Sequence, residues 1–151
     1  MSLLVRPAEP ADLEIIVAFN VALARETEAL ALDLDTVRRG VAAVLEDPEK
    51  GRYRVAAQGG AVVGQLMLTR EWSDWRSGWW WWIQSVYVAP EARRGGVYRA
   101  LHRSVLDDAA RTGDVRGVRL YVEQENTRAQ RAYEAMGMER GRYLIYETGH
   151  E

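Results

Sequence analysis

The chain contains no cysteine. That absence removes disulfides, thiolate metal sites and cysteine nucleophiles at once. Histidine is nearly missing too: His102 and His150 are the only two, and no HExxH-like spacing exists, so no metal site is expected. No apolar run approaches the ~18 residues that a membrane span needs. The opening stretch MSLLVRPAEPADLE lacks the basic-then-apolar order of a signal peptide. Large charge imbalance is also absent. A formal net charge of −2 gives no global pull toward nucleic acid or acidic membranes. These absences fit a cytoplasmic location and require neither a nucleic-acid nor a membrane partner. No internal repeat or low-complexity linker appears, so a single domain over residues 1–151 is expected.

What the chain does have is unevenly placed. All six tryptophans lie within WSDWRSGWWWWIQ (72–84), four of them consecutive, Trp79 to Trp82. The hydrophobic fraction of 48% and charged fraction of 28% are otherwise those of a soluble globular chain, long enough to bury one core.

The spacing predicts a short strand over 3–8 stopped by Pro7. A helix follows, with Pro10, Asp12 and Glu14 in its first turn and Leu13, Ile16, Val17, Val21 and Ala24 on its apolar face. A second helix is expected from about Thr36 to Glu46, with Asp35 as N-cap and Asp47-Pro48 as its end. Two extended runs flank Gly59-Gly60, the chemistry of a tight hairpin turn, and WWWWIQSVYV (79–88) continues as the third strand of a meander. Next come a helix over about 97–111 with Gly113 as its stop, and a strand over 117–123. A helix capped by Asn126 and ended near Gly137 follows, then a last strand over 142–147. The order β-α-α-β-β-β-α-β-α-β predicts a mixed α/β domain, an antiparallel meander followed by a strand–helix–strand unit.

Between the third strand and the helix at 97 lies an arginine- and glycine-rich loop, Arg93-Arg94-Gly95-Gly96-Val97-Tyr98. Free N–H groups and the positive dipole end of a helix suit a phosphate there, and the glycines let the backbone approach a ligand closely. Taken alone, an ordinary turn explains the pair of glycines equally well.

The chain resembles the GNAT superfamily of acyl-CoA-dependent N-acyltransferases over essentially its whole length. The loop matches the family form Arg/Gln-x-x-Gly-x-Gly/Ala except at Tyr98. The second family motif, Asn-x-x-Ala-x-x-x-Tyr-x-x-x-Gly, is present as Asn126, Ala129, Tyr133 and Gly137. The resemblance implies a mainly antiparallel central sheet with helices on both faces. It also implies acetyl-CoA as cosubstrate, with no metal, and direct transfer of the acetyl group to an amine. Val86 and Val88 would pair with the pantetheine arm, and Arg93, Arg94, Gly95, Gly96, Val97 and Tyr98 would hold the pyrophosphate. Asn126 would contact the cofactor arm. Tyr133 would protonate the leaving thiolate. Gln84 stands where many members carry a glutamate base and cannot itself accept a proton. Glu123 or Glu125 are substitutes, as is a water chain. A catalytically weak acyl-CoA-binding or interaction module with the same fold is the alternative.

Alternate strand residues share a face, so Trp80, Trp82 and Gln84 point one way and Trp79, Trp81 and Ile83 the other. The first set is expected to line the acceptor side, with Trp72, Asp74 and Trp75 in reach, and the second to pack under helices. A wall of this kind favours a small hydrophobic or aromatic amine. The final strand and the tryptophan loop are also where a homodimer would form.

Overall fold

The computed structural model describes residues 2–149, so His150 lies outside the described residues. The chain divides into two compact units, Met1–Tyr121 and Val122–Glu151.

The first unit runs β1 (Leu3–Pro7), a short 3-10 turn at Pro10–Asp12, α1 (Leu13–Glu28), α2 (Leu34–Glu46), β2 (Arg52–Gln58), β3 (Ala61–Ser73), β4 (Gly78–Val88), α3 (Val97–Thr112) and β5 (Val115–Leu120). Its sheet has the order β1-β2-β3-β4-β5, antiparallel except where β4 meets β5 in parallel. Gly59 and Gly60, at φ 60° and 83°, make the tight turn between β2 and β3 that only a left-handed pair allows. The helix α1 starts where Asp12 accepts the Glu9 N–H (2.7 Å) and a two-pronged contact from Arg6 (2.8 and 3.1 Å). The hydrogen bonds from Arg6 are the main reason its carboxyl is held below the ordinary aspartate range.

Helices cover both faces of this sheet. Ile16 and Val17 of α1 and Val41 of α2 pack on Tyr53 and Val55. Val97, Leu101 and Val105 of α3 pack on Ala56, Leu66, Leu68 and Ile83 from the other side. Gly64 makes the second contact close: a Cβ there would stand 2.6 Å from Val97 Cγ1, so the start of α3 sits directly on β3.

The second unit holds α4 (Thr127–Ala135), with Asn126 as its N-cap. Two expectations are corrected. The N-cap of α2 is Asp33, whose carboxylate accepts from Thr36 N (3.0 Å) and Thr36 Oγ1 (2.7 Å), so the helix starts at Leu34, two residues earlier than Asp35 implied. No strand forms over 142–147: that stretch pairs with no described strand and is exposed throughout. An alternating pattern alone does not make a strand, because the strand's N–H and C=O groups need a partner. Among the described residues no helix is long and apolar enough to cross a membrane.

Candidate active site

Strand β4 positions the site because it loses a neighbour halfway along. Its parallel pairing with β5 runs from Trp79–Val115 to Ile83–Leu120 and stops there, while β4 continues to Val88. On the other side β4 stays paired with β3, and Ala89 N–H donates to Val63 O (2.8 Å). Antiparallel strands bond through alternate residues, so Val86 and Val88 turn their backbone groups toward the edge that β5 has left. Between the two pairings β4 carries a bulge. The register shifts between Gln65–Tyr87 and Met67–Gln84, and Ser85 sits there at φ 53°. A bulge re-aims the backbone, and here it does so at the open edge.

The strand leads into the arginine–glycine loop. Arg94 (φ 69°) and Gly96 (φ 79°) are both left-handed, and the first α3 bond is donated by Ala100 to Gly96 O (3.0 Å). The amides of Val97, Tyr98 and Arg99 precede that bond, and a helix start of this form suits an anion. Gly95 is close-packed: a Cβ would lie 3.3 Å from Ala92 O. The Arg93 guanidinium is engaged elsewhere, donating to Val88 O (3.0 Å) and to Glu26 (2.7 Å). Glu26 also accepts from the Tyr87 hydroxyl, and these two contacts hold its carboxyl below the ordinary range. Tyr98 turns back along the helix to His102 Nδ1 (2.9 Å).

The tryptophan strand divides as alternation requires, with one exception. Trp82 donates from Nε1 to Glu71 Oε1 (2.9 Å), and its ring lies tilted against Tyr121, 5.9 Å between centroids. Trp80 lies under the Arg119 guanidinium (3.6 Å), with Arg76 also near (5.4 Å). It covers Gly117 so closely that a Cβ there would stand 2.3 Å from the ring. Gln84 donates to Thr69 Oγ1 on the same face. On the opposite face Trp81 and Ile83 join the core under α3. Trp79 does not. It pairs directly across the hairpin with Trp72, and the rings meet edge to face at 5.0 Å with Arg70 over Trp79. Trp72 therefore belongs to the face opposite Trp80 and Trp82, and Trp75 is 85% exposed in the turn. Glu71, Tyr121 and Arg119 share the Trp82 face and were not singled out from the sequence. Nothing in their periodicity marked them, because β3 and β5 place them there by register.

These features decide the family. Residues 19–138 match the model of the Acetyltransferase (GNAT) family. The chain belongs to the GNAT acetyltransferases. Among solved structures it is similar to a possible acetyltransferase from Clostridium difficile 630, at 42% identity and TM-score 0.94, over 100% of this chain and 99% of that one. An integron cassette protein from the mobile metagenome of Cole Harbour Salt Marsh shares 25% identity at TM-score 0.82, covering 96% and 89% of the two chains. A GCN5-related N-acetyltransferase from Ralstonia eutropha JMP134 shares the fold at 24% identity and TM-score 0.79, covering 97% and 99%. No curated protein matches.

The second GNAT motif lies in the second unit. Asn126 Oδ1 accepts from Ala129 N (3.1 Å), capping α4, and Glu123 Oε2 accepts from Glu125 N (2.7 Å), closing the turn before it. Tyr133 is half-buried, and burial pushes its phenol above the ordinary range, so it carries its proton at neutral pH. Among the described residues no group of three His, Asp or Glu side chains is arranged to hold a metal ion.

Proposed function

We propose that the protein is an acetyl-CoA-dependent N-acetyltransferase acting by direct attack on a primary amine of a small molecule or peptide. The observation that carries this reading is the open edge of β4 beyond Ile83, bulged at Ser85 and leading straight into the Arg93–Tyr98 loop. Val86 and Val88 offer backbone groups along which an extended pantetheine arm can add as a strand. The amides at the start of α3 suit the pyrophosphate.

In the reaction the neutral amine nitrogen attacks the thioester carbonyl carbon. The Val86 N–H donates to the carbonyl oxygen as negative charge develops on it. The C–S bond then breaks, and the thiolate takes the Tyr133 hydroxyl proton. Asn126 contacts the cofactor arm. The proton that the amine gives up goes to Glu123 or to water, because Gln84 is an amide whose NH₂ already faces Thr69.

The acceptor lies on the Trp82 face. Trp80 already carries Arg119 on its ring, so Trp82 and Tyr121 supply the remaining aromatic wall, with Gln84 and Glu71 as polar edges. That combination favours a compact hydrophobic or aromatic amine.

Thiol release from acetyl-CoA across an amine panel tests the proposal. At least one compact amine should be turned over, and Tyr133→Phe should lower kcat by roughly 10²- to 10⁴-fold with acetyl-CoA affinity little changed. Gln84 favours one other reading, a module that holds acyl-CoA without transfer. It predicts tight acetyl-CoA binding with no thiol released by any amine.

A further inference from the structure

Ser85 is the only residue of β4 with a positive φ, and its carbonyl is held from β3. Gln65, completely buried on β3, donates from Nε2 to the Ser85 carbonyl (3.0 Å) and to Asn20 Oδ1 on α1 (2.9 Å). Asn20 Nδ2 donates to the Tyr53 hydroxyl on β2 (3.0 Å). The four residues form one hydrogen-bonded chain, Tyr53–Asn20–Gln65–Ser85, that ties β2, β3 and β4 to α1.

Two features separate this chain of contacts from ordinary core packing. Gln65 Oε1 is buried with no hydrogen-bond partner. The amide cannot turn to relieve it, since Oε1 would then face two oxygens, Asn20 Oδ1 and Ser85 O. A buried amide that leaves an acceptor unpaired is costly, and a leucine of similar size would avoid the cost. Serine also rarely adopts a left-handed conformation inside a strand without something to hold it. Gln65 supplies that hold at the one residue where β4 changes register.

We propose that Gln65 is a positioning residue for acyl transfer. Through its bond to the Ser85 carbonyl, with Asn20 and Tyr53 holding it in place, it fixes Ser85 in the left-handed conformation, and this sets the direction of the next amide, Val86 N–H. The inference rests on the proposed role of Val86 as donor to the thioester oxygen. An amide pointed a few tenths of an ångström off loses much of its value in the transition state, while the arm and pyrophosphate contacts of the ground state are little affected.

The test combines backbone NMR with kinetics on the full chain. In Gln65→Leu the amide shifts of Gln84–Tyr87 should move with no substrate present, and kcat should fall roughly 10- to 100-fold, short of complete loss of an oxyanion donor. Calorimetric affinity for coenzyme A, which lacks the thioester carbonyl that this amide would orient, should stay within about twofold. Tyr53→Phe, which keeps volume and removes only the ring hydroxyl, should give the same pattern with a smaller kcat loss and covers the case of a poorly folded Gln65 variant. Ser85→Gly added to Gln65→Leu should recover part of the lost kcat, because glycine reaches φ near 53° unaided. Unmoved shifts, or moved shifts with unchanged kcat, would overturn the proposal. A wild-type enzyme that releases no thiol with any amine is a separate result: it removes the transfer reading itself.

Discussion

His102 shows how one side chain can be set by burial alone. It lies on α3, 1% exposed, with Nδ1 engaged by Tyr98 and Nε2 without a hydrogen-bond partner. Desolvation lowers its pKa below the ordinary histidine value, so the folded chain keeps it neutral. The sign of the linkage follows directly. The unfolded chain takes up a proton as pH falls through ~6.5, and the folded chain does not until a lower pH. The stability tied to a neutral His102 is therefore complete above that value and is lost as pH falls below it. Between pH 7.5 and 5 the wild-type melting temperature should drop more than that of His102→Leu. The carboxylates held low in the fold, such as Asp12 and Glu26, titrate beneath this window and do not confuse it. Equal slopes for the two proteins would show that His102 does not titrate on unfolding. The same residue marks a limit of sequence reading. Leu101 and Val105 announced the buried face of α3, but a histidine between them gave no sign that it shared the core.

At the scale of elements, β4 does the most and was the most legible in part. The face alternation of Trp79 to Gln84, the end of β4 at the Arg93–Tyr98 loop and the Asn126 cap of α4 all followed from local spacing, because each depends on residues within a turn or a strand of each other. Other features depend on register between distant segments. The bulge at Ser85 breaks the alternation without any glycine to announce it, and its partners Asn20, Tyr53 and Gln65 come from three other elements. The one available sign was polar residues inside apolar runs, Gln65 in VVGQLML and Asn20 in AFNVAL. The absent strand over 142–147 is the reverse case: its alternation was legible, and the partner it needs was not. Trp82 provides the test of this element. It is half-buried, bonded to Glu71 and leaning on Tyr121. Trp82→Ala should raise the KM of the amine while leaving acetyl-CoA affinity unchanged. A tryptophan whose task is packing would instead cost roughly 3–5 kcal/mol of stability on truncation, and the acceptor profile of the folded remainder would not change. Melting curves and acceptor kinetics on the same variant separate the two outcomes.

Over the whole molecule, Val86, Val88 and the Arg93–Tyr98 loop belong to the first compact unit, and Asn126 and Tyr133 to the second. A ligand that binds only the folded form stabilises it by about 2.7 kcal/mol at a hundred times its dissociation constant. For a chain of this size that is a rise in melting temperature of roughly 5–10 °C. Acetyl-CoA should produce such a rise, and Gly96→Glu should abolish it by placing a carboxylate where the pyrophosphate is expected. Hydrogen exchange then locates the effect. If Asn126 and Tyr133 serve the same ligand as the loop, acetyl-CoA should slow amide exchange in α4 as well as around residues 93–98. Slowing confined to the first unit, with α4 unchanged, would leave the cosubstrate to β4 and its loop alone. The thiolate would then need a proton donor other than Tyr133, and the Tyr121 hydroxyl beside Trp82 would be the first residue to substitute.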